Sequence, residues 1–185
     1  MKIEIISGSP RKESATKRVA LHLFQVLATQ ADVELGLIDL QRYHLPPVAS
    51  VITSLELAPA GLKSLAERLF AADAFILVSP EYNGGYSPAM KNLLDHFPKQ
   101  NGKAFGIATA SPGAMGGMRA ALALQHLVYG LFGIGSPHML IVPEVDKKFS
   151  NGGQLLDGKF SVQVNHFINE FLWLARKVTP AEVVV

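Results

Sequence analysis

The sequence predicts an α/β fold: one parallel sheet with helices on both faces. Three observations carry that reading. Short apolar runs alternate with segments of helical period. Three of these runs open into loops rich in Ser, Gly and Pro that lead straight into helix starts. The run Ala74 to Val78 is apolar throughout, as a strand buried on both faces must be. Right-handed crossovers turn such alternation into a parallel sheet whose ligands bind beyond the carboxyl ends of the strands, where all three loops would lie.

In chain order, Lys2 to Ile6 is a strand, followed by a helix from about Thr16 to Ala28 with Val19, Leu23, Val26 and Leu27 on one face. Val33 to Asp39 is a second strand. Leu40 to Leu57 carries Pro46-Pro47 and little periodicity, so it reads as a long surface connection bordering the substrate site. Leu62, Leu65, Ala66, Leu69 and Phe70 form a helical stripe before the strand Ala74 to Val78. Ser87-Pro88 supplies an N-cap residue and a proline at the first helical position, and the helix runs to about His96. Ala104 to Ala110 is a fourth strand, and the helix after it carries Leu124, Leu127, Val128 and Leu131. Its extra apolar residues Leu122, Val128, Tyr129 and Phe132 exceed one face and suggest oligomerisation. His138 to Val142 is a fifth strand and Asp146 to Lys159 a polar loop. Val164, Phe167, Ile168, Phe171 and Leu172 mark a closing helix. Val183-Val184-Val185 reads equally as a partner contact or a free end.

At 185 residues, 49% hydrophobic and 17% charged, the chain fits a single domain over residues 1 to 185 with a well-buried sheet. It has no cysteine, so thiolate nucleophiles, dithiol redox pairs and iron-sulfur ligation are excluded, and any redox chemistry needs a bound cofactor. No apolar stretch reaches the roughly 18 residues of a membrane span, and the expected location is the cytoplasm. The net charge of +2 is dispersed except at Arg11, Lys12, Lys17 and Arg18, which read as a small-anion site rather than a nucleic-acid surface. The six histidines show no metal-ligand spacing, and no GxSxG elbow is present.

The first loop, Ser7 to Thr16, offers the hydroxyls of Ser7, Ser9, Ser14 and Thr16, the guanidinium of Arg11 and the amides of Ser14, Ala15 and Thr16 at a helix start, which together suit a phosphate. Pro10 has no N–H to give. Neither GxxxxGK[ST] nor GxGxxG occurs. In the second loop Pro80 and Glu81 precede Tyr82, an aromatic face, while Asn83, Gly84 and Gly85 let backbone approach a flat ring, as a flavin requires. In the third, Pro112, Gly113, Ala114, Gly116 and Gly117 keep side chains away and set a helix N-terminus toward the same crevice. Taken singly, each loop is equally a capped helix start or an ordinary turn.

Together the loops resemble the NADPH-dependent FMN reductase family of the flavodoxin-like superfold, with its motifs GSxRxxSxN/T, PEYNxSxPxxLKNxxDW and SxGxxGGxRAxxxLR. The resemblance covers roughly Lys2 to Val142. It rests on Gly8-Ser9, Arg11, Ser14 and Thr16; on Pro80-Glu81-Tyr82-Asn83-Gly84 with Lys91-Asn92 and Asp95; and on Ser111, Gly116-Gly117, Arg119 and Ala120. It implies a three-layer α/β/α sandwich around a five-stranded parallel sheet of order 2-1-3-4-5. It implies FMN held at its phosphate by Ser9, Arg11, Ser14, Ala15 and Thr16. Pro80, Glu81, Tyr82, Asn83 and Gly84 would line its ring, and Ser111, Gly113, Gly116 and Gly117 would meet its pyrimidine end. The implied reaction passes a hydride from NADPH, with NADH as the alternative donor, to FMN N5 and on to a small-molecule acceptor: a quinone, a flavin, an azo or nitro compound, or a metal oxyanion. The second reading is a flavodoxin-like electron carrier without NADPH turnover. A homodimer or homotetramer is implied, assembled through the helix after the second loop. Glu81 then braces its loop or touches a partner subunit, and Arg119 pairs across a dimer or sits in a solvated first turn. Three positions depart from the family: Pro10, Ser87-Pro88 where Pro-Gly is common, and His96 for a frequent Trp, which puts a histidine at the pocket rim or a subunit contact. The iron-sulfur flavoproteins also begin GSPR but need cysteines this chain lacks.

Overall fold

A computed structural model describes residues 1 to 180, so Val183-Val184-Val185 lie outside the described residues. The strands are β1 Lys2–Ser7, β2 Glu34–Asp39, β3 Ala74–Pro80, β4 Ala104–Ala110, β5 Ile134–Gly135 and β6 Leu140–Val142. The helices are α1 Ala15–Leu27, α2 Lys63–Ala71, α3 Pro88–Asp95, α4 Met118–Gly130, α5 Val145–Lys148 and α6 Ser161–Val178. Every pairing is parallel, and the order is β2-β1-β3-β4-β5, with β6 also on β4. The sheet therefore has the flavodoxin-like order that the motifs implied.

Alternation along the strands sends side chains to two cores. Ile3, Ile5, Ile76, Val78 and Ala108 face α1 and α6, whereas Ile6, Phe75, Leu77, Phe105 and Ile107 face α2, α3 and α4. Gly106 sits in the middle of β4 because a Cβ there would come within 3.0 Å of the rings of Phe167 and Phe171, which lie nearly parallel to each other. Glu4 is the buried charged residue of β1; it lies against Arg68 of α2, which donates to both of its carboxylate oxygens.

Two expectations are corrected. The strand His138 to Val142 begins only at Leu140, and a separate pair, Ile134–Gly135, continues the edge alongside Ala104 and Phe105. Pro137 between them has no N–H for the ladder, so one edge strand becomes two and the sheet has six strands rather than five. The stretch Asp146 to Lys159 is no simple polar loop either. It holds most of α5 and a 3₁₀ turn at Gly158–Phe160, and it buries Phe149 completely. The connection after β2 folds over α3: Asn92 Nδ2 donates to the carbonyls of Leu45 (3.2 Å) and Pro46 (2.9 Å), and the Ile52 amide donates to the His96 carbonyl at 2.7 Å. Among the described residues no helix is long and apolar enough to cross a membrane.

Candidate active site

Because β1, β3 and β4 are neighbours, the loops that leave their carboxyl ends meet along one edge. The first and second are joined at two levels. At the base, the Gly8 amide donates to the Val78 carbonyl at 2.8 Å and the Ser87 hydroxyl donates to the Gly8 carbonyl. At the rim, the Arg11 guanidinium carbon lies 4.7 Å from the centre of the Tyr82 ring, a cation–π contact.

The second loop is a tight hairpin. Tyr82 and Gly85 exchange backbone hydrogen bonds of 2.8 and 3.0 Å, while Asn83 (φ 51°) and Gly84 (φ 83°) both take positive φ. That is the two-residue turn Asn-Gly favours, since asparagine tolerates the left-handed region and glycine has no Cβ to clash. Ser79 and Ser87 lock its stem: the Ser87 amide donates to Ser79 Oγ at 3.0 Å, and Ser87 Oγ accepts from the Met90 amide at 3.1 Å as the N-cap of α3.

The second and third loops are clamped by Glu81 and Arg119. Arg119 Nε donates to Glu81 Oε1 at 2.8 Å, and the Arg119 amide donates to Oε2 at 3.2 Å. Glu81 thus braces its loop, and Arg119 is neither merely solvated nor spare. The α4 N-terminus already carries this carboxylate, so its field is spent on Glu81 rather than left open for a developing charge. The third-loop glycines also answer to packing. A Cβ on Gly116 would meet Ile141 Cγ2 at 2.6 Å, and one on Gly117 would meet Thr109 Cβ at 2.9 Å, with φ of 62° and 86°. Ser111 and Gly113 turn toward the segment after β6: Ser111 Oγ accepts from the Gly113 amide (3.0 Å), and the Glu144 amide donates to the Gly113 carbonyl (3.3 Å).

The first loop keeps donors in reserve. Ser9 Oγ accepts from the Arg11 amide (3.3 Å), and Ser14 Oγ caps α1 by accepting from the Lys17 amide (3.2 Å), so each hydroxyl still has its hydrogen to give. Among the described residues the amides of Ala15 and Thr16 have no backbone partner. Buried Ser7 Oγ and Tyr82 Oη likewise lack hydrogen-bond partners. Reserve donors for an anion beside an aromatic, glycine-backed turn are the set that the phosphate and ring of FMN require, so the residues fit the group. The wider anion cluster does not hold. Lys17 pairs with Asp39 at 2.8 Å and Arg18 with Asp146 at 2.7 Å, which leaves Arg11 and Lys12.

Sequence reading missed Ser79, Thr109 and the Glu81–Arg119 clamp, whose partners stand 38 positions apart. His96 is buried at the end of α3, with Nδ1 2.7 Å from the Asn92 carbonyl. The connection borders the first loop: Pro10, Leu40, Tyr43, Pro47, Pro88 and Asn92 line a groove of about 510 Å³.

A family model described as NADPH-dependent FMN reductase matches residues 1–147. The chain belongs to that family. Membership makes it an FMN-dependent NADPH oxidoreductase, the enzyme class and cofactor pair that the loop motifs implied. A curated relative, the FMN-dependent NADPH-azoreductase of Staphylococcus aureus (strain USA300), is 30% identical over 179 residues, covering 93% of this chain and 94% of the relative. Among solved structures, the flavoenzyme NAD(P)H:(acceptor) oxidoreductase FerB from Paracoccus denitrificans superposes with a TM-score of 0.80 at 20% identity, over 97% of this chain and 99% of that one. A mutant flavodoxin from Pseudomonas aeruginosa superposes with a TM-score of 0.60 at 18% identity, over 93% and 99%. These two likenesses bear on the fold alone.

Proposed function

We propose that this family member reduces small-molecule acceptors (quinones, free flavins, azo or nitro compounds, or metal oxyanions) with electrons from NADPH, NADH being the alternative donor, and that it works as a homodimer or homotetramer. When bound, FMN would supply the two-electron chemistry, taking hydride at N5 and releasing electrons to the acceptor. The chain's own share is binding and orientation. Ser9, Arg11, Ser14, Ala15 and Thr16 would hold the phosphate, Pro80, Glu81, Tyr82, Asn83 and Gly84 would line the ring, and Ser111, Gly113, Gly116 and Gly117 would bound the pyrimidine end. The role of Ser111 and the third-loop glycines would be one of shape, since Ser111 and Gly113 bond within the loop and to the segment after β6 while Gly116 and Gly117 pack on β6 and β4.

The observation that carries this reading is the set of reserve donors at α1 next to the rigid Tyr82 turn, joined by Arg11 stacked on the ring. The test is anaerobic addition of NADPH to FMN-loaded protein, followed by flavin absorbance. Bleaching within turnover time, then recovery with an acceptor from the panel, supports it. Persistent yellow colour in protein that binds FMN indicates an electron carrier dependent on a partner and ends the proposal.

A further inference from the structure

The connection after β2 is fastened at three points. At its start Asp39 caps the turn Leu40–Arg42, with Oδ1 accepting from the Gln41 amide at 3.2 Å. Further on, Asn92 of α3 holds the carbonyls of Leu45 and Pro46. Between these two, Tyr43 is tied to the interior: its hydroxyl is a hydrogen-bond partner of Arg68 on α2, and Arg68 Nε donates at 2.8 Å to Glu4, buried in β1. The sheet makes room for that carboxylate, because Glu4 stands in register with Gly36, where a Cβ would collide with its oxygens. A largely buried ion pair adds little net stability, which leaves position as its contribution. The three anchors surround the groove of about 510 Å³ that lies between the connection, Pro10 of the first loop and Pro88 and Ala89 at the start of α3.

We propose that this groove seats an uncharged aromatic acceptor, that Tyr43 is the wall on which it stacks, and that Arg68 and Glu4 are positioning residues for Tyr43. The inference deepens the reading of acceptor reduction above and rests on it. Among the described residues Tyr43, His44 and Asn92 are the polar lining of the groove, and no Lys, Arg, Asp or Glu joins them. An anion leaving water for such a lining finds no opposite charge, so a metal oxyanion or a sulfonated compound gains little there. A flat neutral ring, by contrast, buries its faces against Tyr43 and the prolines. The volume falls in the range of small-molecule sites. The groove is continuous with the candidate active site, since Pro10 precedes Arg11 and Pro88 follows Ser87, whose hydroxyl ties the second loop's stem to Gly8. Its polar groups suit a ring carrying a carbonyl: a His44 ring N–H can donate to it, whereas Asn92 has spent Nδ2 on Leu45 and Pro46.

The probe is menadione, titrated calorimetrically into FMN-loaded, oxidised protein without NADPH, so that binding is read with no turnover. Tyr43→Ala should weaken binding about tenfold, and a naphthoquinone sulfonate should bind the wild type about fivefold less tightly than the neutral ring. A mutant cycle tests the positioning. Tyr43→Phe keeps the ring and loses the hydroxyl, and Glu4→Gln/Arg68→Met removes both charges together, leaving neither buried alone. Each should weaken binding about threefold, and their combination should weaken it no further, because both act through one contact. Losses that multiply, or no loss in either, overturn the roles of Arg68 and Glu4. An unchanged titration in Tyr43→Ala, no binding to the wild type, or equal affinity for the sulfonate overturns the groove. A flavin that NADPH does not bleach ends the reduction reading instead, and these titrations, made without NADPH, keep the two failures apart.

Discussion

The first and second loops leave adjacent strands and touch through Arg11 and Tyr82, yet they are held in opposite ways. Inside the second loop the backbone pairs with itself at Tyr82 and Gly85, its stem is pinned by Ser79 and Ser87, and its acid is clamped by Arg119. In the first loop, two hydroxyls do the local bonding, and among the described residues the amides of Ala15 and Thr16 have no backbone partner and Ser7 Oγ has none at all. Buried donors without partners cost free energy, so a chain keeps them where a ligand will supply the acceptor. The difference separates a frame, whose backbone and stem bonds are made before anything binds although Tyr82 Oη keeps none, from a receptor whose bonds are completed by the ligand. Stability should therefore respond to the frame and affinity to the receptor.

The largest expected effect is on the third loop, which holds the frame through Arg119. Gly117→Ala places a Cβ 2.9 Å from Thr109 Cβ at a φ of 86°, and the combined strain and overpacking should cost about 2–4 kcal/mol in urea denaturation. An unchanged midpoint would mean that this glycine is there for the ligand after all. Arg11→Ala tests the receptor: FMN affinity should fall by about 1.5–3 kcal/mol, roughly 10- to 150-fold by titration, while the melting temperature of the apoprotein stays put. A loss of stability with intact affinity would reverse the assignment of the two loops.

Ser87→Ala removes the cap of α3 and its bond to Gly8, and a stability loss of about 1–2 kcal/mol should exceed any effect on FMN titration. The smallest effect concerns what holds α1 behind the first loop. His22 packs on Phe149 with ring centres 5.1 Å apart, and its Nδ1 is 2.9 Å from the Gly153 carbonyl. Burial lowers its pKa from the ordinary 6.5, more than the Gly153 bond raises it. The folded state therefore favours the neutral ring. The unfolded chain takes up the proton first, and stability present above about pH 6.5 is lost as pH falls toward the folded value. Urea midpoints at pH 7.5 and 5.5 should differ less in His22→Leu than in the wild type. Equal differences would remove His22 from the account.

Much of this was legible in the residues because it is local. The runs Ile3 to Ile6, Ala74 to Val78 and Ala104 to Ala110, apolar but for Glu4 and Thr109, are long enough to identify buried strands, and Asn83-Gly84 names its own turn type. Ser14 and Ser87-Pro88 announce helix starts within a residue of where α1 and α3 begin. Less was legible at the right-hand edge of the sheet. There Pro137 splits a strand too short to show a period, and the four residues of α5 cannot display helical spacing.

The order of elements, the buried central strands and the three loops that carry the family's motifs were set by the sequence alone, since periodicity, capping and turn chemistry act over a few neighbouring positions. Only the tertiary structure decided which charges are already spent. Arg18 finds Asp146 across 128 positions, Lys17 finds Asp39, and Glu81 finds Arg119. Ion pairs depend on distance in space, and no local pattern encodes the approach of side chains that the chain brings together only by folding.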